Sequence, residues 1–137
     1  MKIQAFAIMT LLAFTSCSVS NKEKKIKSTD METLELTREW DKTFPQSDKV
    51  EHTKITFHNR YGITLAADMY KPKNVQGTLP AIAVSGPYGA VKEQVSGRYA
   101  QALAERGFLT IAFDPSFYGE SGGMPRNLTS PEISTDD

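Results

Sequence analysis

Ala81-Ile82-Ala83-Val84, the turn Ser85-Gly86-Pro87-Tyr88-Gly89, and Phe108-Leu109-Thr110-Ile111-Ala112-Phe113-Asp114 decide the fold of this chain. The first and last stretches are apolar at consecutive positions, as strands covered on both faces of a parallel sheet require. Between them Val91, Val95, Tyr99, Ala102 and Leu103 recur at helical spacing, with Lys92, Ser96, Gln101 and Glu105 on the side expected to face water. Glycine inside a helix costs about 0.5–1 kcal/mol relative to alanine, so Gly97 predicts a close packing contact. Gly107 is placed to end the helix in the left-handed conformation. Strand, helix and strand at this spacing predict a right-handed βαβ crossover.

Upstream, the pattern changes to alternation. Thr53, Ile55 and Phe57 alternate with Lys54, Thr56 and His58, and Ile63, Leu65, Ala67 and Met69 alternate with Thr64, Ala66, Asp68 and Tyr70. Two half-buried strands joined by the turn-forming Asn59-Arg60-Tyr61-Gly62 predict an antiparallel hairpin. On this reading His52 and His58 sit on the polar face of the first strand. Before the hairpin, Leu34, Leu36, Trp40 and Phe44 could line a short helix or an extended arm. Pro45 ends any helix there, and the aromatic pair Trp40 and Phe44 would pin the segment to the domain.

The chain of 137 residues sets the prior at one domain. Its 16 basic and 16 acidic residues cancel, which leaves no electrostatic footprint for nucleic acid. Residues 1–16 read as a secretion signal: Lys2 supplies the positive start and Ile3 to Phe14 the apolar run, too short for a membrane span. Leu12-Ala13-Phe14-Thr15-Ser16-Cys17 resembles a bacterial lipoprotein signal. That likeness implies lipidation at Cys17, export, and anchoring to a membrane of the cell envelope. Cys17 is the single cysteine, so no disulfide forms within one chain. Residues 17–37 then read as the lipidated cysteine and a polar linker carrying Lys22, Lys24, Lys25 and Lys27. Residues 38–137 form the partial domain. At the far end, Ser134-Thr135-Asp136-Asp137 fits a capping box and predicts a helix start, hence a truncated sequence.

Gly119-Glu120-Ser121-Gly122-Gly123 matches G-x-S-x-G, the nucleophile elbow, which needs a strand directly before it and a helix directly after it. Here Pro115 to Tyr118 intervene after the strand, and Met124-Pro125-Arg126-Asn127 continues as a loop. Ser121 is therefore predicted to be a loop residue and not a nucleophile. Asp114 ends a buried strand, where it is expected to fix the following loop through backbone hydrogen bonds. Lys92 and Glu93 are expected to be solvated. No dinucleotide or mononucleotide phosphate-binding motif and no metal-spaced His/Cys set is present, so no cofactor or metal is implied. Asn127-Leu128-Thr129 is a glycosylation sequon without consequence in a bacterial source.

Three stretches together resemble the bacterial α/β-hydrolases related to dienelactone hydrolases. They are Ser85-Gly86-Pro87-Tyr88-Gly89-Ala90-Val91-Lys92-Glu93-Gln94, Tyr99 to Phe108, and Ala112-Phe113-Asp114 through Gly119 to Gly123. The resemblance implies the N-terminal half of an α/β-hydrolase fold: an antiparallel hairpin, then a βαβ unit of a mostly parallel sheet. It implies an ester or other small acyl substrate, with the nucleophile and histidine following later than Asp137. The turn after Val84 would carry one oxyanion-hole donor. Pro87 has no N–H, so the backbone N–H of Tyr88 is the candidate. Two other readings stay open: a non-catalytic lipoprotein that uses the fold for binding, and an inactive gene fragment.

Overall fold

The computed structural model describes residues 32–137. The expected signal peptide, Cys17 and most of the linker lie outside these residues. Four strands and two helices run in the order β1 (Val50–His58), β2 (Thr64–Pro72), β3 (Ala81–Val84), α1 (Val95–Ala104), β4 (Leu109–Phe113) and α2 (Pro131–Ser134). They form one sheet in the spatial order β1-β2-β4-β3, with β2 antiparallel to both neighbours and β3 parallel to β4. The hairpin and the parallel strand–helix–strand connection are both as the sequence predicts. Gly62 turns between β1 and β2 at a φ of 77°, and Gly107 ends α1 at 101°.

Burial corrects the sequence reading in several places. β3 is half-exposed because it lies at the edge of the sheet, and β4 is fully buried only at Thr110 and Ala112. β2, expected to be half-buried, is the most enclosed strand, since it lies between β1 and β4. The strand pairing gives the reason. Val50, His52, Lys54, Ala66, Asp68, Tyr70, Thr110 and Ala112 share the face that α1 and the segment before β1 cover. Ile55, Phe57, Met69, Ile111 and Phe113 share the opposite face and stay partly open, with Phe57 and Phe113 meeting edge to face at 6.3 Å. The side of β1 read as solvent-facing is thus the inner side.

The helix also presents a different stripe from the expected one. Ser96, Gly97, Ala100, Gln101 and Ala104 are buried, whereas Val95 is 54 % and Tyr99 63 % exposed. Both stripes have helical period; the small one wins because it lets α1 settle against Tyr70 and Phe44. A Cβ at Gly97 would meet the Lys92 carbonyl oxygen at 2.2 Å, the close contact the sequence predicts. The segment before β1 is an extended arm, not a helix. Trp40 packs edge-on to Phe44 at 5.6 Å and to His52 at 5.2 Å, and Phe44 joins the core. Gln101 fixes the arm from α1 by accepting from Ser47 N–H and donating to the Pro45 carbonyl.

Ser134, read from the sequence as a helix cap, is the last residue of α2. Asp136 and Asp137 are engaged elsewhere: Asp136 pairs with Arg60, while Asp137 accepts from Asn59 and Ser116.

Candidate active site at the carboxyl ends of β3 and β4

Ligands of open α/β sheets bind outside the carboxyl ends of the strands. Here that position holds a cavity of about 370 Å³. Ser85 to Gly89, the turn leaving β3, form one wall; Phe113, Pro115 and Tyr118, at and after the end of β4, form the other. Thr129 and Pro131 complete it. Half of the lining is aromatic or proline, and Ser85, Ser134 and Asp137 add polar groups. Tyr88 Oη hydrogen-bonds to Thr129 Oγ1, which lies 3.1 Å from Tyr118 Oη. Tyr88 itself is 81 % exposed. Its backbone N–H has no acceptor among the described residues, as a donor kept for a ligand would require.

The two walls meet at one carboxylate. Asp114 is fully buried; its Oδ1 accepts from Lys92 N–H at 2.7 Å, and its Oδ2 accepts from Glu120 N–H at 2.9 Å. The expected role of Asp114, fixing the loop after β4, is what these bonds perform. Gly119 makes room for it with a φ of 50°, since a Cβ there would lie 2.2 Å from Asp114 Oδ2.

Lys92 and Glu93, expected in solvent, are drawn inside. Lys92 is fully buried, and its ammonium donates to Asp114 Oδ2 and Glu120 Oε2, each at 2.7 Å, and to Glu93. An ammonium has three donors, and all three are matched. Burial alone would lower the Lys92 pKa, but the Asp114 charge and the bonds to Glu120 and Glu93 outweigh it and raise it. Burial would likewise raise Glu120; the bonds from Lys54, Lys92 and Thr37 N–H instead hold it down at about 2.

The network continues under the arm. Lys54 reaches Glu120 at 2.6 Å and Asp41 at 3.3 Å, and the fully buried pair Lys42 and Asp68 stands at 3.0 Å. His52 Nε2 lies 2.8 Å from Asp68 Oδ1. Burial, followed by the charges of Asp68, Glu93 and Asp41, raises the pKa of the enclosed Tyr70. Asp41, Glu93 and Glu120 bring carboxylate oxygens within 4.8 Å of one another, but Lys54 and Lys92 already pair with these groups as their cations. The sequence reading missed this network. The signal was present in the hairpin register, which sets Lys54 opposite Asp68 on the inner face.

Ser121 is enclosed. Its Oγ accepts from Ala66 N–H at 2.9 Å and donates to the Asp114 carbonyl at 2.7 Å, which ties the loop to β2 and β4. Neither a strand precedes it nor a helix follows it. His58 bonds to Thr64, so neither histidine lines the cavity. The structure therefore brings Tyr88 and the residues after β4 together at the cavity, whereas Ser121, bound to the Asp114 carbonyl, and both histidines are not among its lining residues.

The profile of the X-Pro dipeptidyl-peptidase (S15) family matches residues 61–136. The uncharacterized protein PA2218 of Pseudomonas aeruginosa is 59 % identical over 98 % of this chain and 36 % of its own length. Its crystal structure superposes with a TM-score of 0.75 at 69 % identity, covering 77 % of this chain and 33 % of that one. A thiohydrolase, aneE of Aspergillus aculeatus, is 30 % identical over 66 % of this chain and 28 % of its own length. The α/β-hydrolase GrgF of a Penicillium species shares the fold, with a TM-score of 0.55 and 22 % identity over 63 % of this chain and 29 % of that one. The chain spans about a third of the length of these relatives. Sheet order, crossover and sequence agree: the chain belongs to the X-Pro dipeptidyl-peptidase (S15) family and carries the N-terminal part of an α/β-hydrolase fold.

Proposed function

We propose that these residues supply the oxyanion-binding side of an α/β-hydrolase site acting on an ester, thioester or other small acyl substrate. The observation that carries this reading is the Tyr88 turn, set on the wall of the cavity at the carboxyl ends of β3 and β4. In acyl transfer a nucleophile attacks the carbonyl carbon and its oxygen becomes an anion. A backbone N–H about 2.7–3.1 Å from that oxygen stabilises it, with no group to reorganise at the moment of reaction. Tyr88 N–H is the donor assigned to that task. Ser121 is enclosed and neither histidine lines the cavity, so on this reading the nucleophile and base come from residues of the longer protein outside this chain. The name of the thiohydrolase relative supports acyl chemistry, and the Ser85–Gln94 segment keeps its likeness to dienelactone hydrolases.

The test uses the longer protein that carries this segment, assayed with aryl ester and thioester substrates. Tyr88→Pro removes the N–H, whereas Tyr88→Ala keeps it. Loss of one oxyanion donor lowers kcat by about 10²–10³-fold. Tyr88→Pro should show that loss and Tyr88→Ala should not; equal kcat in both variants contradicts the assignment. A folded longer protein that binds acyl ligands without turnover supports the binding-module reading instead.

The same proposal places the protein on a membrane of the cell envelope through a lipid on Cys17. Each buried methylene of an acyl chain contributes about 0.8 kcal/mol of membrane affinity. Cys17→Ala should move the protein from the membrane to the soluble fraction or block its processing. A mature N-terminus elsewhere, without lipid, contradicts it.

A further inference from the structure

We propose that Lys92 and Asp114 act as a positioning pair that sets the separation of the two cavity walls, and with it the placement of Tyr88 against Tyr118. Each wall reaches the same carboxylate through a backbone N–H: Lys92 N–H, three residues after the Ser85–Gly89 turn, binds Oδ1, and Glu120 N–H, two residues after Tyr118, binds Oδ2. The Lys92 ammonium then closes the pair, bonded to Asp114 Oδ2 and to Glu120 Oε2. Gly119 is pressed onto the carboxylate so closely that no side chain fits there.

Stability alone is a weak reason for this arrangement. Taking an ammonium and a carboxylate out of water costs several kcal/mol per ion, and well-packed apolar replacements of such pairs are often neutral or stabilising. What an apolar pair cannot supply is a carboxylate with two oxygens, each aimed at the backbone of a different wall. The arm joins the same device, because Thr37 N–H donates to Glu120 Oε1 at 2.6 Å and Lys54 bridges Asp41 to Glu120. The arm thereby holds the Glu120 end of the cavity loop from outside.

For turnover, this inference rests on the acyl-transfer reading; for geometry it does not. A misplacement of about 1 Å can cost on the order of 10²-fold in rate. Lys92→Met should therefore lower kcat of the longer protein by about 10–100-fold, with a much smaller change in KM. In the longer protein it should shift the amide resonances of Tyr88 and Tyr118, two residues with no direct bond to Lys92. Asp114→Asn keeps the shape of the side chain but leaves one oxygen where two accepted, so one wall loses its bond and the same resonances should move. It decides the matter where Lys92→Met does not fold. Unmoved Tyr88 and Tyr118 resonances in either folded variant overturn the proposal. So does a lowered unfolding midpoint with kcat unchanged, which is the mark of a merely structural pair. If the longer protein hydrolyses no acyl substrate, the function reading fails and the resonances alone still decide the positioning role.

Discussion

Replacing Gly97 with alanine sets two opposed effects against each other. Helix propensity alone favours alanine by about 0.5–1 kcal/mol. At this position, however, the new Cβ would lie 2.2 Å from the Lys92 carbonyl oxygen, 3.1 Å from Tyr70 Oη and 3.3 Å from Phe44 Cζ. A backbone carbonyl cannot swing aside, so either α1 lifts from the sheet or the Lys92 turn shifts. Overpacking of this kind costs about 2 kcal/mol, the middle of its usual range, which leaves a net loss of roughly 1.25 kcal/mol after a propensity gain of about 0.75 kcal/mol. With a denaturant slope of about 2 kcal/mol per molar urea, the unfolding midpoint should fall by roughly 0.6 M. Gly86→Ala is the control, since its nearest neighbours would stand at 3.4 Å, an ordinary contact. A Gly97→Ala midpoint at or above that of the parent would refute the close-packed seating of α1.

Ser121→Ala orphans the buried Ala66 N–H and an acceptor site on the Asp114 carbonyl, at about 1–3 kcal/mol per unsatisfied group, so the midpoint should drop clearly. An unchanged midpoint contradicts the structural role of this serine. Glu120 gives a pH signature of known sign: its folded pKa of about 2 lies below the ordinary 4.5, so its contribution is present above pH 4.5 and fades as pH falls toward 2. Glu120→Gln should flatten the stability profile across that window, read by Trp40 fluorescence. Parallel profiles in parent and variant would count against the network.

The hairpin and the crossover were legible because period and punctuation are local. Alternation, a turn with Gly62, and two apolar runs flanking a helical stretch leave few other topologies. The extended arm was half-legible, since Trp40 and Phe44 announced docking but not conformation. What was not legible depends on partners distant in sequence. Val95 and Tyr99 have the same helical period as Ser96, Gly97, Ala100 and Ala104, and only the approach of Tyr70 and Phe44 selects the small stripe. Lys92 reads as a surface residue until Asp114 and Glu120, 22 and 28 positions later, are brought beside it. The elbow-like Gly119–Gly123 shows the converse: its spacing matches a catalytic motif, but its strand and helix context is absent and its serine is consumed by backbone bonds. At the cavity, Tyr88 could be named from the turn, whereas Tyr118 and Thr129 enter only through the folding of the loop after β4.

The most direct test of the central claim is to map the residue labelled by a serine-directed fluorophosphonate probe, using mass spectrometry. The probe should be applied to the 137-residue chain and to the longer protein that carries it. The account predicts no label on the chain alone, a label on a residue outside it in the longer protein, and unchanged labelling in Ser121→Ala. A label on Ser121, or ester turnover by the chain alone that is lost in Ser121→Ala, would contradict it.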